Sequence, residues 1–171
     1  ASYSGLTQKD YGTLSLIAPV VAYPDAPWST DWRDMIRFNS TAMGMASEGR
    51  ALVARIETEI AETTARYPEL KGRSAMFITH LSARDLSAVN FYTTNDTRVR
   101  FFADLRLKSP ASVVRASTPG KYSGSVSSER IDRFDDVATL VTYGRPEPLT
   151  ALAGNPLTSK MPAVAKGAAV L

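Results

Sequence analysis

The sequence predicts an α/β protein with a mostly parallel sheet flanked by helices, preceded by one long helix. Three observations predict it. The stretch ASEGRALVARIETEIAETTARY, Ala46–Tyr67, is the longest uninterrupted helical pattern in the chain. After Gly72 the pattern alternates strand, helix, strand. Finally, VATLVTY, Val137–Tyr143, is a continuous apolar and β-branched run of the kind buried on both faces of a parallel sheet.

The first helix is announced by Thr7-Gln-Lys-Asp10, which resembles a capping box with Asp in place of Glu. Tyr11, Leu14 and Ile17 give it a short apolar face, and Pro19 is expected to end it. Val20–Tyr23 is β-branched and reads as a brief strand. Pro24-Asp-Ala-Pro27 is a rigid loop with Trp28 directly after it. Thr30 or Asp31 caps the next helix, whose apolar positions are Trp32, Met35, Ile36 and Met43, with Gly44 as its stop. In the long helix, Leu52, Val53, Ile56, Ile60, Thr63 or Thr64, and Tyr67 recur at steps of three and four, so they share one face. Pro68 stops it. At about 1.5 Å per residue its 22 residues span roughly 33 Å, the width of a small domain.

Beyond Gly72, AMFITHL (Ala75–Leu81) reads as a buried strand and VNFYT (Val89–Thr93) as a second. Ser82–Leu86 is a loop. Asp96 caps a helix over Thr97–Leu105, with Val99, Phe102 or Phe101, and Leu105 inward. Pro110–Tyr122 is loop-rich. Ser127 or Ser128 caps a short helix, Glu129–Phe134. Gly144 stops the VATLVTY strand, Pro148–Ala153 is a short helix, Pro156–Lys166 is a turn or helix closed by Gly167, and Ala168–Leu171 begins a strand. There are no repeats and no low-complexity segment.

The chain has 171 residues, 44% hydrophobic and 22% charged, the composition of a folded globular protein. Its net charge of +3 is spread thinly, without a run of five basic residues, and weighs against nucleic acid. Local enrichment at Arg98, Arg100, Arg106, Lys108, Arg115 and Lys121 reads either as a solvated face or as a site for an anionic ligand. There is no cysteine, which excludes disulfides, thiol catalysis and Cys-ligated metals within the chain. No apolar run reaches the 18 residues expected of a transmembrane helix. The opening Ala-Ser-Tyr-Ser-Gly carries no signal peptide and suggests a processed piece.

Chemistry is sparse. One histidine, His80, on an apolar strand, cannot build a zinc site, and it reads as a core or strand-end residue. Ser123-Gly-Ser125 lacks the strand that precedes a nucleophile elbow. Gly120 and Gly124 form no phosphate loop, and Asp135-Asp136 looks like a turn. A binding role fits better. Ligands of open parallel sheets meet the loops at strand carboxyl ends, and these hold Arg84, the Thr93–Arg98 turn and Tyr143. Arginine donates in pairs to anionic oxygens, and tyrosine offers a flat face with a polar tip.

The order of motifs resembles a known family. YSGLTQKDYGTLSLIAPVVAYPDAPWSTDWRD is similar to the end of the first lobe of iron-siderophore substrate-binding proteins of ABC importers, in particular the actinobacterial, ferric-enterobactin-binding-like group. YPELKGRSAMFI, YTTNDTRVRFFADLRL, YSGSVSSERIDRFDDVATLVTYG and PLTSKMPAVAKGAAVL continue the likeness over the whole chain. The resemblance implies a class III periplasmic binding protein. In that architecture two α/β lobes are joined by one long helix, and a ferric siderophore is held between them for delivery to the permease subunits in the membrane. It implies no enzyme activity, no intrinsic cofactor and no resident metal. The location it implies is extracytoplasmic, periplasmic or lipid-anchored at the cell surface.

On this reading residues 1–45 are a remnant of the first lobe, 46–68 the inter-lobe spine, and 69–171 a Rossmann-like second lobe shortened at its end. The resemblance matches Glu129, in SSERI, with a glutamate that docks onto the permease. It puts Trp28 at the lobe junction as a cleft wall. Arg84, Tyr92, Arg98, Tyr122 and Tyr143 are the second-lobe ligand candidates. Two departures stand out: the usual Asp-Pro-Arg-Val is Asp96-Thr97-Arg98-Val99, and a glycine expected near the helix end is Arg106. A chain lacking most of one lobe is expected to self-associate or swap. The same architecture carrying haem, cobalamin or another metal chelate is the alternative, and an α/β enzyme domain is the alternative of a different class.

Overall fold

A computed structural model describes residues 5–79 and 81–171; His80 and the opening residues Ala1–Ser4 lie outside the described residues. The chain divides into two compact units at Pro68/Glu69.

The first unit holds three helices: α1 (Gln8–Ser15), α2 (Trp32–Ala42) and α3 (Ala46–Arg66). Thr7 caps α1 as its sequence predicts. Its Oγ1 accepts from the Asp10 amide at 3.1 Å and donates to the Asp10 carboxylate at 2.6 Å. The helix stops at Ser15, before Pro19 is reached. Its apolar face is open to solvent, with Leu14 and Ile17 both exposed.

Val20–Tyr23 is not a strand. A β-branched run is only a local preference, and this one finds no ladder among the described residues. It is tied instead by the Tyr23 hydroxyl, which donates to the Leu6 carbonyl at 2.7 Å. Asp31, not Thr30, caps α2 by accepting from the Arg33 amide. Thr30 is buried with its hydroxyl unpartnered.

Gly44, at φ 72°, turns the chain from α2 into α3. The two helices pack closely where Gly49 meets Ser40: a Cβ on Gly49 would lie 2.0 Å from Ser40 Oγ. Arg33 of α2 donates from Nε to Glu57 of α3 at 2.7 Å. Along α3 the half-buried positions Leu52, Val53, Ile56 and Ile60 and the buried Thr64 follow the predicted stripe, whereas Tyr67 lies past the helix end and is exposed.

The second unit contains the hydrophobic core. A parallel sheet is ordered β1 (Ala75–Phe77), β4 (Thr139–Val141), β5 (Ala169–Val170), with β4 central. Period-two alternation assigns its faces. Met76, Ile78 and Leu140 enter one core with Val113, Ile131, Phe134, Leu152 and Met161. Ala75, Phe77 and Val141 face the other, with Val99 and Phe102 of α4 (Thr97–Asp104). Both faces being covered explains why these strands read as continuous apolar runs. α6 (Glu147–Gly154) and α7 (Pro162–Ala165) lie in the connection from β4 to β5.

A second, two-stranded sheet stands beside the parallel one. β2 (Ala88–Tyr92) pairs antiparallel with β3 (Ser123–Ser127), in register Phe91 to Gly124 and Tyr92 to Ser123. β3 and the helix α5 (Ala111–Ala116) correct the expected loop character of residues 110–125. The serine-glycine composition hides the strand. Gly124 is needed there because a Cβ would come within 2.7 Å of the Phe91 ring. α5 begins after Pro110, and Ser112 is anchored to Asp136 by its amide at 3.1 Å and by its hydroxyl. Burial raises the Asp136 carboxyl, but the hydrogen bonds from Ser112 and from the backbone of Ala111 and Asp136 together outweigh it and hold the group below the usual carboxylate range. The short helix expected at Glu129–Phe134 is a kinked 3₁₀ segment, Ser128–Phe134, capped by Ser127.

α4 ends in a complete Schellman motif. The Arg106 amide donates to the Ala103 carbonyl and the Leu107 amide to the Phe102 carbonyl, each at 2.9 Å. Arg106, at φ 61°, takes the left-handed position where the family resemblance led us to expect glycine.

Candidate functional site

Three of the sequence-predicted residues come together at one face of the second unit: Tyr92, Arg98 and Tyr143. Each arrives by a different route. Tyr143 lies two residues beyond Val141 and so continues the face of β4 that packs on Phe77 and Phe102. Tyr92 ends β2 and meets Phe77 edge-on, at 5.4 Å between ring centroids. Arg98 stands in the first turn of α4.

The hydroxyls of Tyr92 and Tyr143 are hydrogen-bonded to each other. The Arg98 guanidinium lies 3.6 Å from the centroid of the Tyr92 ring, a close cation–π stack. Burial and the bond to Tyr143 push the Tyr92 hydroxyl well above its ordinary value.

Asp96 holds this arrangement. Its carboxylate accepts from the Arg98 amide at 2.8 Å, from Nε at 2.7 Å and from Nη2 at 2.6 Å. Cap and ion pair are therefore one group, and it is fully buried. Sequence reading assigned Asp96 only the cap. The available signal was an acidic cap two residues before an arginine, a spacing at which one carboxylate can take both the amide and the guanidinium. The cap forms without the proline that the resemblance led us to expect at position 97.

Tyr92 and Arg98 do not follow a strand that ends at the carboxyl edge of the parallel sheet. Because β2 is antiparallel to β3 and bridges antiparallel to Ile78, its carboxyl end points opposite to that of β1. Side-chain reach, rather than a shared strand edge, brings Tyr92 and Arg98 to Tyr143. Tyr122 precedes β3 and accepts from the Thr93 amide through its carbonyl at 3.0 Å, which keeps it beside the end of β2 with an exposed ring.

Arg84 is not in this group. It is exposed in the Ser82–Asp85 loop, its amide 3.3 Å from Ser82 Oγ, before the start of β2. β2 alone separates it from Tyr92 by roughly 14 Å at about 3.4 Å per residue. Arg84's loop adjoins the segment carrying Glu129, since the Ser128 amide donates to the Ser87 carbonyl at 2.9 Å. Glu129 is exposed at the start of the 3₁₀ segment.

In the first unit, Trp28 has φ 65° and is half-buried. The Ser29 amide donates to the Ala26 carbonyl at 3.3 Å, closing a turn with Pro27 second and Trp28 third. A positive φ at the third position belongs to glycine in such turns, and a bulky residue there costs on the order of 1 kcal/mol.

Among the described residues no cluster of His, Cys, Asp and Glu could hold a metal ion. No helix among the described residues is long and apolar enough to cross a membrane. What the site offers to its surroundings is the half-buried Tyr143 and the part-exposed Arg98 guanidinium, backed by the buried Tyr92 and Asp96.

The profile of the periplasmic binding protein family matches residues 1–170. No curated protein matches the chain. Among solved structures, PiaA from Streptococcus pneumoniae in complex with ferrichrome is 38% identical, with a TM-score of 0.89 over 99% of this chain and 57% of that one. A second structure of that protein, described as an iron uptake ABC transporter substrate-binding protein, gives 38% identity and a TM-score of 0.87 over 99% and 58%. FhuD from Vibrio cholerae, a siderophore binding protein with Fe³⁺-Desferal bound, is 18% identical with a TM-score of 0.71 over 97% and 62%, a likeness of fold alone. The chain thus spans less than two thirds of these relatives.

Proposed function

The chain belongs to the periplasmic binding protein family, and we propose that it is part of a binding protein that captures a ferric siderophore and delivers it to the permease of an ABC importer. The observation that carries this reading is the 38% identity, sustained over 99% of the chain, to a protein solved with ferrichrome. The Tyr92–Arg98–Tyr143 cluster supports it: an aromatic side chain with a polar tip beside an oriented guanidinium suits the oxygen-rich surface of a ferric chelate. The family is one of binding proteins, in keeping with a sequence that carries no nucleophile elbow, phosphate loop or metal-ligand spacing.

Tyr92, Arg98, Tyr143 and Tyr122 contribute the ligand contacts of the second unit in this proposal, Arg84 extends them, and Trp28 contributes from the first unit. Retaining a tryptophan where the turn favours glycine supports a role for its side chain. Residues 46–68 serve as the spine and 69–171 as the second lobe, and lipid anchoring at the cell surface completes the picture. Glu129, exposed at a helix start, docks the permease.

The test is tryptophan fluorescence of the full-length protein titrated with ferrichrome, a ferric tris-catecholate and haem. Saturable quenching by a ferric siderophore, lost in Trp28→Phe, is expected; no quenching by any ferric chelate would sink the reading. Glu129→Arg should impair uptake into cells and leave that quenching curve unchanged. Loss of affinity instead would place Glu129 in the ligand site.

A further inference from the structure

Asp96 has no exposed surface, and its partner Arg98 is only 27% exposed at the side chain. A buried carboxylate is costly unless its charge and its lone pairs are satisfied. Here three donors from one residue satisfy it: the Arg98 amide, Nε and Nη2. The cap alone would need only the amide, and Ser or Asn would serve it as well. The remaining two bonds form a planar fork that leaves the guanidinium one orientation, flat on the Tyr92 ring at 3.6 Å. Tyr92 in turn holds Tyr143 through their hydroxyls.

We infer that Asp96 is a positioning residue and charge-setting residue of the ligand site: it fixes Arg98 and the tyrosine pair, and by cancelling the guanidinium charge it suits the site to a ferric chelate of low net charge. The inference rests on the siderophore-binding reading above. Lys121 and Arg145, nearby in sequence to Tyr122 and Tyr143, are exposed; charges at the surface are screened by water and salt, whereas the Asp96–Arg98 pair sets the field inside.

Asp96→Asn keeps a competent cap and removes the charge. In the full-length protein, affinity is measured for two probes, a charge-neutral ferric tris-hydroxamate and a trianionic ferric tris-catecholate. The tris-hydroxamate should bind the wild type more tightly, and Asp96→Asn should weaken it about tenfold, the scale of a charge-assisted hydrogen bond. The tris-catecholate should lose less or gain, because an uncompensated cation now faces it. Arg98→Gln should weaken the tris-hydroxamate as well, and the double variant should be no worse than Arg98→Gln alone. Alkaline absorbance titration adds a ligand-free readout: removing the carboxylate should bring one tyrosine to a lower titration range.

Equal loss for both probes in Asp96→Asn would mean damage to the fold and would overturn the inference, as would unchanged affinities with an unchanged tyrosine titration. A wild type that prefers the tris-catecholate would overturn the charge-setting part. If the wild type binds neither probe, nor any other ferric chelate, the functional reading itself fails and takes the role of Asp96 with it. The tyrosine titration then still reports whether Asp96 governs the tyrosine pair.

Discussion

Single residues hold the conformational cost in this chain. Arg106 occupies the left-handed position that closes α4, with φ 61° and an exposed side chain. A side chain there costs roughly 1 kcal/mol against glycine. Arg106→Gly is expected to raise stability by about that amount, read as a higher urea midpoint at constant slope, because the Schellman bonds remain and only the Cβ penalty goes. Tyr92 carries a different kind of cost. Burial and its bond to Tyr143 raise its hydroxyl, so the folded state holds the proton more tightly than the unfolded chain. Its contribution is therefore complete below about pH 10, the ordinary tyrosine value, and is lost as pH rises toward the folded value. Tyr92→Phe should cost about 1 kcal/mol at pH 7 for the lost hydrogen bond. Above pH 10 it should flatten the decline of stability that the wild type shows, as measured by denaturant melts across pH 7–12.

At the scale of elements, close approach decides more than propensity. Gly49 sits inside α3, where alanine would ordinarily be better by roughly 1 kcal/mol. Yet a Cβ at that position meets Ser40 of α2 at 2.0 Å. Gly49→Ala should therefore destabilise, by about 1–3 kcal/mol as an overpacked contact, and Ser40→Gly in the same chain should restore most of it. Thermal melts of the two single variants and the double variant measure the coupling; an additive pair would show that the helices do not pack through this contact. The same logic explains β3. Its Ser-Gly-Ser sequence has little strand preference, and its pairing with β2 is permitted because Gly124 admits the Phe91 ring. Strands β1 and β4 were legible because both faces are covered and their residues are apolar or β-branched. β3 was not, because what holds it is a partner 30-odd residues away in sequence, which no local window sees.

For the whole molecule, burial is unevenly shared between the two units. Both hydrophobic clusters consist of residues beyond Pro68. In the first unit the buried residues among those described are Thr30, Ser40, Gly49 and Thr64, with no large apolar side chain among them. A segment of residues 69–171 expressed alone is accordingly expected to fold, with a cooperative melt by circular dichroism and dispersed amide resonances. Residues 1–68 alone should show only partial helix and a broad, non-cooperative transition, since helices of this length need a buried face to be stable in water. A cooperative melt of residues 1–68 alone would contradict this distribution of core.

The sequence by itself determined the helices α1 to α4 and the caps at Thr7 and Asp96, the buried strands β1 and β4, the family, and which aromatic and basic residues were worth watching. These follow from spacing, from capping chemistry and from motif order, all of which are local or inherited. It also pointed to Tyr92, Arg98 and Tyr143, though through a strand-end argument that the antiparallel course of β2 does not support. Only the tertiary structure decided that Asp96 is the buried anchor of that cluster, that Arg84 stands apart from it, that Val20–Tyr23 joins no sheet among the described residues, and that β3 does. The physical reason is common to all four. Each depends on a partner distant in sequence or on a side-chain direction, and a hydrogen bond or a ring stack exists only once the fold has brought both members within a few ångströms.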